Sequence, residues 1–137
     1  MDRNLQIIGL AKKAGLLAVG MEDTISAARY GKAQIILSAS DASANSLRRA
    51  KNAAEAGGVL QIEVPYSSFE LGNVSGRGSP GTVSFLDAGL AALFLKGMSE
   101  KDPERYSGTA ETLSGKARMK AQKKRATQSV KKRRTLQ

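Results

Sequence analysis

Histidine and cysteine are both absent from these 137 residues. Without imidazole the chain lacks the usual general base near neutral pH and the commonest metal ligand. Without thiols it has no disulfides, no thiolate nucleophile and no thiolate metal site, which fits a reducing compartment. Chemistry is left to carboxylates, lysines and arginines, and no pair of them has a diagnostic catalytic spacing. The expectation is a non-enzyme that carries no metal and no cofactor. Its charged residues are better placed for binding. Glu22 and Asp23 follow Gly20 and Met21, where a helix would begin. Two acids in a first turn complement the helix dipole, each by roughly 0.3–1 kcal/mol. A carboxylate there can equally accept hydrogen bonds from base amino and imino groups, those of guanine in particular. Lys12 and Lys13 end the preceding segment. The stretch Ser75-Gly76-Arg77-Gly78-Ser79-Pro80-Gly81 is either a plain surface loop or a ligand contact. Its glycines permit close backbone approach, and Arg77 can reach a phosphate or stack on a base. It is not a P-loop, because the Gly-Lys-Ser/Thr ending is missing.

The C-terminal quarter carries the strongest charge signal. Residues 99–137 hold 12 Lys/Arg against 4 Asp/Glu, whereas residues 1–98 hold 10 against 8. Ten basic residues and no acidic one occur from Lys116 to Arg134: Lys116, Arg118, Lys120, Lys123, Lys124, Arg125, Lys131, Lys132, Arg133 and Arg134. A polyanion that takes up such a segment releases condensed counterions, so binding is driven without any base being read. At a pI near 10.2 the whole chain favours acidic partners on encounter. Apolar residues thin out beyond Met98, so 99–137 reads as a tail that is disordered in isolation, with helical tendency around 116–126. The N-terminal residues lack a long apolar run, and the longest one, Ala88 to Leu95, is too short to cross a bilayer. A soluble cytoplasmic protein with no membrane partner is expected.

Residues 1–98 must position the candidate groups, and they alternate helical and strand patterns. Asp2 caps a first helix that stops at Gly15, and Leu16–Val19 reads as an edge strand. A second helix starts at Gly20–Met21, faces Met21, Ile25 and Ala28 inward, and stops at Gly31. Lys32 follows it. Gln34–Leu37 is a buried strand without polar alternation. A third helix spans about 43–56, with Leu47, Ala50 and Ala54 inward and Arg48, Arg49 and Lys51 outward. Val59–Val64 is the next strand. Ser67 and Glu70 form a capping box for a short helix ending by Gly72. Thr82–Leu86 is the last strand, and Asp87 caps a helix through Leu95 that Gly97 stops. This alternation, with short connections, predicts an α/β three-layer α/β/α sandwich and one folded domain, 1–98, followed by the basic tail.

Several blocks follow in order: Leu5-Gln6-Ile7-Ile8-Gly9-Leu10-Ala11-Lys12-Lys13-Ala14-Gly15, Gly20-Met21-Glu22-Asp23, Arg29-Tyr30-Gly31-Lys32-Ala33, Ser38-Ala39-Ser40-Asp41-Ala42-Ser43 and Glu70-Leu71-Gly72. This run resembles the kink-turn RNA-binding ribosomal protein family, the L-seven-Ae/L-thirty-e group, and within it the bacterial YlxQ-like branch. The resemblance covers about residues 3–97. It implies a sandwich with a four-stranded mixed sheet, RNA as partner, ribosomal proteins as neighbours, and a monomer when free. It also implies that the N-terminus of the second helix enters a kinked RNA duplex through a Gly-x-Asn-Glu-x-x-Lys pattern. Gly20 matches the glycine and Asp23 falls where the family has Glu. Glu22 stands in place of Asn, and Ser26 in place of Lys. The loop before the last strand, apolar in the family, is here the polar Gly76–Gly81. The implied RNA-binding face therefore comprises Lys12, Lys13, Gly20, Met21, Glu22, Asp23, Ser26, Lys32, Gly76, Arg77, Gly78 and Ser79. The rival expectation is a protein-interaction adaptor on the same fold, with nonspecific nucleic-acid affinity from the tail.

Overall fold

The computed structural model describes residues 2–108. The elements run α1 (Arg3–Lys13), β1 (Leu17–Val19), α2 (Met21–Arg29), β2 (Ile35–Ser38), α3 (Ala44–Gly57), β3 (Leu60–Glu63), α4 (Ser68–Ser75), β4 (Thr82–Phe85) and α5 (Ala88–Lys101). A further helical segment covers residues 103–108. Capping side chains start most of these helices by satisfying amides that the helix leaves unpaired. Asp2 accepts from the Asn4 amide at 2.7 Å, Ser43 from Ser46 at 3.1 Å, and Asp87 from Leu90 at 2.9 Å. Ser67 and Glu70 complete the expected capping box.

The sheet is four-stranded and mixed, in the order β1-β4-β2-β3. β4 is antiparallel to both β1 and β2, and β3 is parallel to β2. Strand alternation sorts side chains onto two faces. Leu17, Val19, Ile35, Leu37, Val83 and Phe85 pack with α1, α4 and α5. Ala18 and Ile36 point the other way, towards Ala27 and Ala28 of α2 and Ala50, Ala53 and Ala54 of α3. The three-layer α/β/α sandwich expected from the alternation is the fold observed.

Some boundaries differ from the sequence reading. Gly72 does not end α4, and Gly97 does not end α5. Both are close-approach positions inside helices. A Cβ on Gly72 would overlap the carbonyl oxygen of Gly78, and one on Gly97 would overlap the buried Asn4 side chain. The inward face of α2 is rotated: Thr24, Ala27 and Ala28 are buried, with Met21 and Ile25 only packed at its flank. Leu47 is half-buried. The packed chain also continues past Met98. Tyr106 is 2% exposed and belongs to the main core, so residues 99–108 are not a disordered extension. The ten basic residues from Lys116 to Arg134, and the helical tendency expected there, lie outside the described residues.

Candidate nucleic-acid interface

Gly20 sets the entry to α2. Its φ of 93° and ψ of 164° form a backbone that a side chain would strain, so glycine is required at this N-cap. Its amide donates to the Thr82 carbonyl at 2.9 Å, and its own carbonyl accepts from the Thr24 amide at 3.0 Å. The first turn of α2 is thereby tied to the start of β4. No side chain caps this helix end. Glu22 and Asp23 occupy its first turn and are exposed, as is Ser26 one turn on.

The loop from Gly76 to Gly81 meets this turn. It is less free than its glycine content implies, because Gly78 rests against Gly72 of α4. Arg77 reaches across, and its Nη1 lies 3.1 Å from Asp23 Oδ2 and 3.4 Å from the Val19 carbonyl. Both side chains remain more than half exposed, at 60% and 58%. An exposed pair of this kind adds at most about 1 kcal/mol to stability. Its interest is positional: it brings a guanidinium with further free-standing donor geometry to a turn that otherwise presents two acids. The hydroxyls of Thr24 and Thr82, beside Gly20, are buried with no hydrogen-bond partner among the described residues.

The structure thus gathers Gly20, Met21, Glu22, Asp23, Gly76, Arg77, Gly78 and Ser79 into one neighbourhood. It does not bring Lys12, Lys13 or Lys32 there. Lys12 and Lys13 precede β1, Lys32 precedes β2, and these strands run the same way, so all three lysines belong to the opposite end of the sheet. The length of β1 separates them from Gly20, about 10 Å at 3.3 Å per residue. Lys13 lines a shallow depression with Leu10, Gly9, Asn73 and Val74. Arg48 and Lys51 flank another, beside Gln61 and Glu63 on the β3 edge.

Titration behaviour is perturbed away from this interface. Burial pushes the Asp2 carboxyl up, but hydrogen bonds from Lys101, the Asn4 amide and Tyr66 outweigh it and hold Asp2 below its ordinary value. The Ser68 amide and hydroxyl, at 2.8 and 2.9 Å, lower Asp41. Burial raises the Tyr66 hydroxyl, helped by the nearby Asp2 charge, and burial likewise raises Tyr106.

No family model and no curated protein matches the chain by sequence. Solved structures do share its three-layer fold. A protein of unknown function from Bacillus halodurans C superposes with a TM-score of 0.65 at 20% identity, covering 72% of this chain and 99% of that one. The Giardia lamblia 15.5kD RNA binding protein superposes with a TM-score of 0.56 at 18% identity, covering 80% and 85%. Among the described residues, no helix is long and apolar enough to cross a membrane.

Proposed function

We propose that this protein binds structured RNA at the α2 end of its sheet, as a monomer and without catalysing a reaction. The observation that carries this reading is the meeting of Arg77 with Asp23 over the first turn of α2. It offers a cation, exposed acceptor oxygens and a close-approach glycine within one small exposed area, the combination that contacts to phosphate and base edges require. The net charge of +10 supports a polyanionic partner. The RNA-binding Giardia protein of the same fold supports the class of partner. The finer form of the proposal is a kinked duplex of the kink-turn type in a ribosomal or ribosome-associated setting, in a bacterial cytoplasm. The ordered stretch from Gly20 to Asp23 and its family resemblance support it.

Fluorescence anisotropy with a kink-turn duplex and an unkinked duplex of equal length tests the proposal. Arg77→Ala should weaken binding to the kinked duplex by about 1–3 kcal/mol, the scale of one good base contact. It should also lower the salt slope by about one phosphate's worth, near 0.9. Affinity and slope both unchanged in the Arg77→Ala protein would refute RNA binding at this end.

A further inference from the structure

The end of the sheet opposite Gly20 collects the cations that the candidate interface does not. β1 and β2 start there, and β4 finishes there. The Leu86 amide donates to the Leu16 carbonyl at 2.9 Å, and the Gln34 amide donates to the Phe85 carbonyl at 2.8 Å. The chain entering β1 and the chain entering β2 therefore flank the exit of β4, two strand spacings or about 10 Å apart. Each entry follows a helix that closes on a left-handed glycine, Gly15 after α1 and Gly31 after α2. Lys12 and Lys13 occupy the last turn of α1 and Arg29 that of α2, and Lys32 comes just past Gly31. Between Arg29 and Lys32 stands Tyr30, 72% exposed, the most exposed large hydrophobic side chain among the described residues. Its backbone is held in place. The amides of Tyr30, Gly31 and Lys32 donate to the carbonyls of Ser26, Ala28 and Ala27 at 3.0, 3.2 and 2.8 Å.

None of these four cations has an ion-pair partner among the described residues, whose pairs are Arg77 with Asp23, Lys101 with Asp2 and Arg105 with Glu63. Two acids belong to the same end. Asp87 is engaged in capping α5, where it accepts from the Leu90 amide at 2.9 Å. Glu55 is exposed in the last turn of α3 and is unpaired. Four cations against two acids leave the end positive. A cation in the last turn of a helix also complements the helix dipole, which accounts for Lys12, Lys13 and Arg29. It gives no reason for an aromatic ring standing in water between two cations. Cations that track a phosphate backbone, beside an aromatic face on which a base can stack, are what single-stranded nucleic acid uses on a protein surface. We infer that this end of the sheet is a second RNA site that takes an unpaired segment of RNA. A base stacks on the Tyr30 ring, and the neighbouring phosphates meet Lys13, Arg29 and Lys32. An acidic protein segment would satisfy the cations equally but would leave the ring without a partner. The inference goes beyond the reading above and shares no residue with it.

The test titrates the full chain, Tyr30→Ala, Tyr30→Phe and the double variant Lys13→Gln with Lys32→Gln against a labelled oligouridine of about 12 nucleotides, a length within the range of single-strand sites. The basic residues from Lys116 to Arg134 are common to all four proteins, so only differences between them are read. The substituted side chains are exposed, and a thermal melt matching the parent confirms that the fold is kept. Tyr30→Ala should weaken binding about 5- to 150-fold, the worth of one stacked base, and Tyr30→Phe should bind as the parent does. The double variant should lower the slope of log affinity against log salt by about 1.4, at about 0.7 for each phosphate of a single strand. Unchanged binding by Tyr30→Ala overturns the inference, and so does an unaltered slope in the double variant. An oligoglutamate of the same length that binds as tightly and loses as much on Tyr30→Ala also overturns it, since charge alone would then suffice. The kinked duplex with Arg77→Ala reads the Gly20 end separately. A duplex that responds to Arg77 beside an oligouridine that ignores Tyr30 removes this inference alone, and the reverse result removes only the Gly20-end reading.

Discussion

On one face of the sheet α1, α4 and α5 bury Leu5, Ile8, Leu71, Phe94, Leu95 and Tyr106, while on the other α2 and α3 approach through Ala27, Ala28, Ala50, Ala53 and Ala54. The large-residue face buries most of the apolar area and so supplies most of the stability, at roughly 1.5–3 kcal/mol for each fully buried large side chain. The alanine face contributes little area. It holds α2 close to the sheet, and the first turn of α2 is where the candidate interface sits. The bulk of the apolar burial thus lies on one side of the four strands, and α2, whose first turn opens the candidate interface, lies on the other.

This division can be broken at graded cost. Phe94 is fully buried and its ring centroid lies 5.3 Å from that of Phe85. Phe94→Ala should cost about 3–5 kcal/mol in urea unfolding, through lost transfer energy and the cavity left behind. A loss under 1 kcal/mol would show that the large-residue face is not the main reservoir. Ala54→Leu on the other side should cost less, about 1–3 kcal/mol from overpacking. It should nevertheless reduce RNA affinity more than Phe94→Ala does in the protein that remains folded, because it displaces α2. Equal effects of the two substitutions on affinity would erase the distinction.

The smallest effect is one of pH, and it belongs to the large-residue face. Tyr66 and Tyr106 have hydroxyls raised above the ordinary value of 10.0. A raised folded value means the unfolded chain loses its proton first, so the stabilisation is complete below pH 10 and declines as pH rises above it. Asp2 and Asp41 are lowered from 3.8, so their contribution is present above that pH and is lost as the pH falls below it. Melting temperatures should hold between these limits and fall outside them. Tyr66→Phe should blunt the alkaline decline, and an unaltered decline would place its origin elsewhere.

The order and type of the elements from α1 to α5 were legible in the sequence, because the caps Asp2, Ser43, Ser67 and Asp87 announce their helices locally. Strand order was not, since β4 reaches its place between β1 and β2 through contacts far apart in sequence. Gly72 and Gly97 look like helix stops until the third dimension shows Gly78 and Asn4 pressed against them. The same blindness affected the interface. Asp23 and Arg77 were each recognisable as candidates, but their pairing spans 54 positions and has no sequence signal. Lys12, Lys13 and Lys32 looked equivalent to Gly20 and Asp23 as binding residues, and only strand direction separates them. Tyr106 was hidden by the charged residues around it, whose composition masked one more turn of packed helix.

β4 is the last strand to be synthesised, yet β1 pairs with it alone and β2 needs it along one edge. The unit of β2, α3 and β3 can close early on a growing chain, because its contacts are short-range. β1 must wait until residue 85 has left the ribosome, with some sixty intervening residues to be looped. Arg77 emerges just ahead of β4, so it meets Asp23 in the same step that completes the sheet. Until β4 is in place the first turn of α2 therefore carries Glu22 and Asp23 without the Arg77 cation, and the charge pattern of that end is completed only when synthesis of the fold is nearly finished.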